Sequence, residues 1–198
     1  TEKARKAVIE DLEALGLFKN EEKIKHAVGC CYRCHTSIEP YISKQWFVKM
    51  QPLAQKALDA WKKGDVVFYP QKWENTYKHW LEGIRDWCIS RQLVWGHRIP
   101  VWTCESCGRE MVSRGPLIEC KYCASLEIRQ DEDVLDTWFS SWLWPFTTLG
   151  WPEKTPDFET FYPTTALITA YDIIFFWVAR MIMAGLEFTG KVPFRDIY

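Results

Sequence analysis

A chain of 198 residues with 47% hydrophobic and 26% charged side chains can bury a core and fits one domain or two small ones, which excludes an intrinsically disordered polymer. Its 25 Lys and Arg against 26 Asp and Glu leave a formal charge of -1, so no overall basic field advertises a nucleic-acid surface, and only a local patch could serve one. The apolar run from Ile173 to Gly185 is broken by Arg180, preceded by Asp172 and shorter than the roughly 20 residues that span a bilayer, so no membrane segment is expected.

In chain order, Ala4, Val8, Leu12 and Leu15 form an i, i+4 stripe opposite charged residues, which predicts an amphipathic helix over 3–15 ended by Gly16. A further helix is predicted from Pro52 through Trp61, interrupted by Gly64, and Val66 to Tyr69 reads as a short strand before Pro70. Another helix runs from about Lys72 to Ile84, and Trp87–Ser90 and Ile99–Trp102 look extended. Pro152, Pro156 and Pro163 mark a loop-rich passage. Ala166–Thr169 then reads as a buried strand, Asp172–Ala184 as a buried helix, and Phe194–Tyr198 as a further strand, an α/β pattern.

Two Cys-x-x-Cys knuckles, Cys104/Cys107 and Cys120/Cys123, carry the strongest chemistry. Four thiolates in two tight pairs match tetrahedral zinc, since each pair forms a turn whose amides also stabilise the sulfurs. No signal peptide precedes the eight cysteines, so metal in a reducing, cytoplasmic compartment is expected rather than a disulfide framework. Cys31 and Cys34 repeat the spacing as a possible half-site whose second pair is not nearby.

Asp172 stands at a strand-to-helix junction, where an acidic side chain either caps the helix or holds ribose hydroxyls. Ile173 and Trp177 are four apart and share a helix face, which serves either core packing or one wall of a small apolar pocket. Trp138 is open to the same two readings. Tyr32, Tyr41 and Trp46 lie near basic residues and suit either RNA contact or ordinary packing. His97-Arg-Ile-Pro lacks the second histidine and glycine of a phosphate-binding turn and reads as structural, and no Ser-His-Asp triad or Gly-rich phosphate loop is evident.

Four blocks together resemble the catalytic region of the valyl-tRNA synthetases, a family of class I aminoacyl-tRNA synthetases. They are Ile38-Glu-Pro with Gln45-Trp-Phe-Val-Lys-Met, Arg85-Asp-Trp-Cys-Ile-Ser-Arg-Gln-Leu with Trp95-Gly-His-Arg-Ile-Pro, Asp133-Val-Leu-Asp-Thr-Trp-Phe-Ser-Ser, and Tyr171-Asp-Ile-Ile-Phe-Phe-Trp-Val-Ala-Arg-Met. The resemblance implies an α/β fold: the second half of a class I Rossmann-type nucleotide-binding fold, with a connective-insertion remnant and an inserted zinc ribbon. It divides the chain into 1–36, the trailing end of an editing insertion with half a zinc knuckle; 37–103, a connective region; 104–128, the ribbon; and 129–198, the catalytic half.

By the same resemblance Trp138, Ile173 and Trp177 line a valine side-chain pocket and Asp172 contacts the adenosine ribose. Cys104, Cys107, Cys120 and Cys123 hold Zn2+, and Cys31 and Cys34 are the downstream half of a second knuckle. The family has Gly where this chain has Ala170. The implied enzyme is monomeric, binds valine, tRNA(Val) and ATP with Mg2+, and activates valine before transferring it to the tRNA. The family's His-Ile-Gly-His and Lys-Met-Ser-Lys-Ser motifs do not occur in these residues, so the chain reads as an internal part, inactive alone, with no catalytic residue of its own. The alternatives are a non-enzymatic zinc-ribbon module that binds RNA or protein, and part of an isoleucyl-tRNA synthetase.

Overall fold

The stripe at Ala4, Val8 and Leu12 winds into helix α1, Glu2–Ala14, and Gly16 closes it at φ 66, a left-handed conformation that costs glycine little. In the computed structural model, which describes residues 2–198, this helix belongs to the first of two compact units, which ends at Lys44. Beyond α1 the first unit holds one tight turn, pinned by a bridge between Cys30 and Ser37. The second unit, Gln45–Tyr198, carries the rest of the regular structure.

The second unit opens with β1, Phe47–Val48, and α2, Gln51–Lys63. Pro52 sits in the first turn of α2, where its missing N–H is harmless, Lys62 and Lys63 oppose the dipole at the end, and Gly64 at φ 80 closes it. Next come β2, Val67–Phe68, and α3, Trp73–Glu82, which packs on α2 through the fully buried Tyr77. The Tyr77 hydroxyl donates to the Ala57 carbonyl at 3.2 Å, and burial pushes its phenol above the usual tyrosine range. The short strands β3, Trp87–Cys88, and β4, Ser90–Arg91, follow.

Strands β5, Val101–Cys104, β6, Glu110–Val112, and β7, Ile128–Gln130, form an antiparallel three-stranded sheet in the order β6-β5-β7. This ribbon has its own small core of Trp102, Cys104, Met111 and Cys120. It is an insert: β8, Val134–Leu135, returns to pair with β4, and the Ile99 amide donates to the Asp133 carbonyl at 3.0 Å across the base.

Three short helices follow, α4 at Thr137–Ser141, α5 at Trp144–Thr147 and α6 at Pro156–Phe161, then β9 at Thr164–Leu167. The chain next makes a tight 3-10 turn, Tyr171–Ile173, a wider π turn, Ile174–Val178, and helix α7, Ala179–Phe188, before β10, Phe194–Ile197. Strand β10 lies between β2 and β9 and is parallel to both. Helix α7 is buried from Ala179 to Gly185 and shares the main core with α2, α3, β2 and β10.

Two expectations change. The predicted buried strand at 166–169 is β9, which starts two residues earlier, and of its four residues only Leu167 is buried because β9 forms an edge of its sheet. The single helix predicted from Asp172 becomes three kinds of turn, a feature that residue periodicity does not register.

Gly185, buried in α7, leaves no room for a side chain. A Cβ there would lie 2.9 Å from the Lys191 carbonyl oxygen, Pro193 Cδ and Tyr162 Oη alike. Gly185→Ala is therefore expected to destabilise the second unit by about 1–3 kcal/mol, read as a lower thermal midpoint. An unchanged midpoint would show that the loop before β10 yields freely.

Candidate functional site

The ribbon knuckles bring four sulfurs into one cluster. Cys104 Sγ lies 3.6 Å from Cys123 Sγ, Cys107 Sγ lies 3.7 Å from Cys120 Sγ, and all four fall within 4.8 Å of one another. Four thiolates about 2.3 Å from one zinc ion would stand about 3.8 Å apart at the corners of a tetrahedron, so the donor set fits this metal. Backbone amides prepare the charge. The Cys107 amide, with neighbouring thiols, holds the Cys104 thiol down at about 6. The Ser125 amide favours the Cys123 anion too, yet burial and the three neighbouring sulfurs push that thiol up to about 12. With four ligands and no open position, the cluster suits a structural metal rather than a catalytic one.

The local geometry repeats at all three knuckles. The Gly108 amide donates to Cys104 O at 2.8 Å and Cys104 N to Arg109 O at 3.0 Å; Ala124 N donates to Cys120 O at 2.9 Å and Cys120 N to Ser125 O at 2.8 Å. In the first unit His35 N donates to Cys31 O at 2.8 Å and Cys31 N to Thr36 O at 2.9 Å. The residue after each second cysteine is left-handed, with φ 57 at His35, 70 at Gly108 and 56 at Ala124. Cys31 and Cys34 thus have the backbone of a metal knuckle. Hydrogen bonds from Thr36, and then from Cys31, hold the Cys34 thiol down at about 7.

Trp138 and Trp177 meet through their neighbours. Trp138, on α4, stacks on Phe176 with ring centroids 5.9 Å apart, while Trp177 donates from Nε1 to the Ser141 carbonyl at the end of the same helix, at 3.1 Å. Trp144 leans on Trp177 at 5.5 Å. Both indoles and Ile173 are half-buried. Phe176, Ser141 and Trp144 were missed from sequence, because in that run of aromatics nothing singles out the ring that turns towards α4.

Asp172 is exposed in the first turn after β9, on the side where the carboxyl ends of β2, β10 and β9 emerge. It does not cap the turn. Ala170 holds that position at φ -77 and ψ 145, an extended conformation open to any residue, so alanine stands there without backbone strain. Beside it a cavity of about 190 Å³ opens among Tyr69, Trp73, Thr169, Tyr171 and Tyr198, with Tyr69 stacked on Tyr198 and Trp73 on Tyr171. Strand carboxyl ends are where open parallel sheets take their ligands.

Two other sequence candidates have structural partners. His97 accepts from Leu135 N through its carbonyl at 2.7 Å, and its Nδ1 lies 3.3 Å from Ser140 Oγ. Trp46 is half-buried and donates from Nε1 to Asp131 Oδ2 at 2.8 Å; Tyr32 and Tyr41 are exposed in the first unit. Among the described residues no helix is long and apolar enough to cross a membrane.

The chain resembles known proteins in sequence and in fold. The chain is 81% identical to a valine–tRNA ligase of Treponema denticola, over 100% of its own length and 22% of the relative's. It is 67% identical to the valine–tRNA ligase of Treponema pallidum over 98% of this chain and 20% of that protein, and 59% identical to that of Fervidobacterium nodosum over 100% and 23%. The chain thus spans about a fifth of the length of these relatives. Among solved structures, a methionyl-tRNA synthetase of Mycobacterium tuberculosis in complex with methionyl-adenylate has the same fold, with a TM-score of 0.55 at 17% identity, covering 86% of this chain and 28% of that one. The model of class I tRNA synthetases for isoleucine, leucine, methionine and valine matches residues 2–198, and the chain belongs to that family.

Proposed function

We propose that this chain supplies one wall of the amino-acid and adenosine sites of an enzyme that activates valine with ATP and transfers it to tRNA(Val). The observation that carries the reading is the meeting of α4 with the π turn, where Trp138 stacks on Phe176 and Trp177 bonds to Ser141. Two indoles and Ile173 form an apolar surface suited to a branched aliphatic side chain, with room limited by rigid rings. Asp172, at the carboxyl ends of the strands, is positioned to accept from ribose hydroxyls.

The parallel strands and α7 read as the second half of a Rossmann-type fold, and the exposed edge of β9 as the surface that its first half covers. Activation is in-line attack of the valine carboxylate oxygen on the α-phosphorus of ATP, with pyrophosphate leaving. It needs positioning and charge stabilisation rather than a protein nucleophile, and Mg2+ accompanies the ATP phosphates. The ribbon holds Zn2+ on Cys104, Cys107, Cys120 and Cys123, and Cys31 and Cys34 hold half of a second site.

ATP–pyrophosphate exchange by the full-length protein tests this reading. Valine is expected to support exchange at a kcat/KM at least about tenfold above isoleucine, since one surplus methylene in a tight apolar pocket is worth roughly 10–200-fold. Preference for isoleucine would transfer the chain to its sister enzyme. The 198-residue chain alone is expected to exchange at background, because it contains neither of the family's ATP-binding motifs.

A further inference from the structure

Helix α4 has five residues, Thr137–Ser141, too few to hold itself by internal hydrogen bonds, so its direction is set by what grips its two ends. Trp177 grips the far end through the Ser141 carbonyl. Asp136, 6% exposed, grips the near end. Its Oδ1 accepts from the Trp138 amide at 3.0 Å, its Oδ2 accepts from Trp87 Nε1 at 2.9 Å and Arg91 Nη2 at 2.5 Å, and its own amide donates to Ile89 O at 2.7 Å.

A second cation completes the arrangement. Arg180, 8% exposed, lies with its guanidinium 3.7 Å from the centroid of the Trp87 ring whose N–H reaches Asp136, and its Nε and Nη1 have no hydrogen-bond partner. Burial brings its pKa down to about 10, Asp136 works in the other direction, and Arg91 adds to the burial effect. Arg180 follows Trp177 by three residues, so the same clamp holds the start of α7. One carboxylate therefore ties β3, β4, α4 and, through the Trp87 ring, α7 together at the place where Trp138 and Trp177 converge.

We propose that Asp136 is a positioning residue for amino-acid selection: it fixes α4 so that Trp138 stands at a set distance from Trp177, and the width of the gap decides which side chain fits. The inference rests on the valine-pocket reading above. Asn in its place keeps the size but brings an NH2 group towards the Trp87 and Arg91 donors and leaves the buried Arg180 and the half-exposed Arg91 without their counter-charge, so α4 shifts.

The test uses the full-length enzyme and the kinetics of ATP–pyrophosphate exchange. Asp136→Asn is expected to raise KM for valine by roughly tenfold or more, the scale of one lost charge-assisted bond, with kcat and the KM for ATP changed less than about twofold. The ratio of kcat/KM for isoleucine to that for valine is expected to rise in parallel. Asp136→Ser retains a capping oxygen for the Trp138 amide but cannot span to Trp87 and Arg91, so it should behave like Asp136→Asn; full recovery with Ser would reduce Asp136 to a helix cap and overturn the proposal. A lower melting temperature with unchanged KM and unchanged isoleucine-to-valine ratio would overturn it too. If Asp136→Asn does not fold, Trp87→Phe keeps the ring beneath Arg180, removes one donor to the carboxylate and is read in the same way. Trp177→Ala, run beside them, separates the failures: no effect on valine KM there refutes the pocket itself, whereas an effect there without one at Asp136 refutes this proposal alone.

Discussion

Trp177→Ala in the full-length enzyme is expected to lower kcat/KM for valine about a hundredfold or more, with isoleucine gaining on valine. Two losses combine in that variant. The indole face offered to the isopropyl group goes, and so does the bond from Nε1 to the Ser141 carbonyl that holds the end of α4, 3.1 Å long. A cavity where a ring stood also admits the extra methylene of isoleucine, and a methylene is worth roughly 10–200-fold in such a pocket. Trp177→Phe divides the two contributions, because it keeps an aromatic face and removes only the donor; a loss nearer tenfold is expected, the scale of one hydrogen bond. Trp138→Ala should resemble Trp177→Ala, since its stacking on Phe176 is the other half of the same contact. ATP–pyrophosphate exchange with valine and isoleucine measures all three. Valine kinetics unaltered in both alanine variants would mean that the indoles face away from the substrate.

Cys104→Ser combined with Cys120→Ser is expected to abolish metal binding at the ribbon and to unfold it while leaving the α/β core folded. The ribbon's own core is small, Trp102, Met111 and the two buried cysteines with Leu117 and Ile128 at its margin, and it is separate from the cluster that joins α2, α3, α7 and β10. Structural zinc contributes an apparent 10–16 kcal/mol, roughly, at neutral pH, far more than so few apolar residues supply. Elemental analysis should lose about one equivalent of zinc, and hydrogen exchange should quicken over 101–130. The amides of α7 should keep their protection. Retention of metal and of a protected ribbon in the double variant would show that these sulfurs are not the ligands.

The clustering of the four ribbon sulfurs was legible because its chemistry is local. Cys-x-x-Cys dictates a turn, and the turn fixes both the amide bonds to sulfur and the left-handed residue after it, whether that is Gly108, Ala124 or His35. Helix α2 was legible for the same reason, with Pro52 at one end and Gly64 at the other. The proposed pocket was legible only as a resemblance. Ile173 and Trp177 were read as one face of a regular helix, whereas the chain makes a 3-10 turn and a π turn there, and the turn type depends on packing against α4, more than thirty residues away. Asp136 was invisible as anything beyond a residue before Thr-Trp, because its partners Trp87 and Arg91 precede it by 49 and 45 positions. Strand β9 misled because Ala-Leu-Ile suggests a buried strand, yet burial is decided by neighbours, and β9 has one on a single side.

A crystal structure of the full-length enzyme with a non-hydrolysable valyl-adenylate analogue tests the pocket most directly. The isopropyl group is expected within about 4 Å of both Trp138 and Trp177 and against Ile173, with a ribose hydroxyl within about 3 Å of an Asp172 carboxylate oxygen. An analogue bound with its side chain away from both indoles, or with its ribose held elsewhere, would contradict the account.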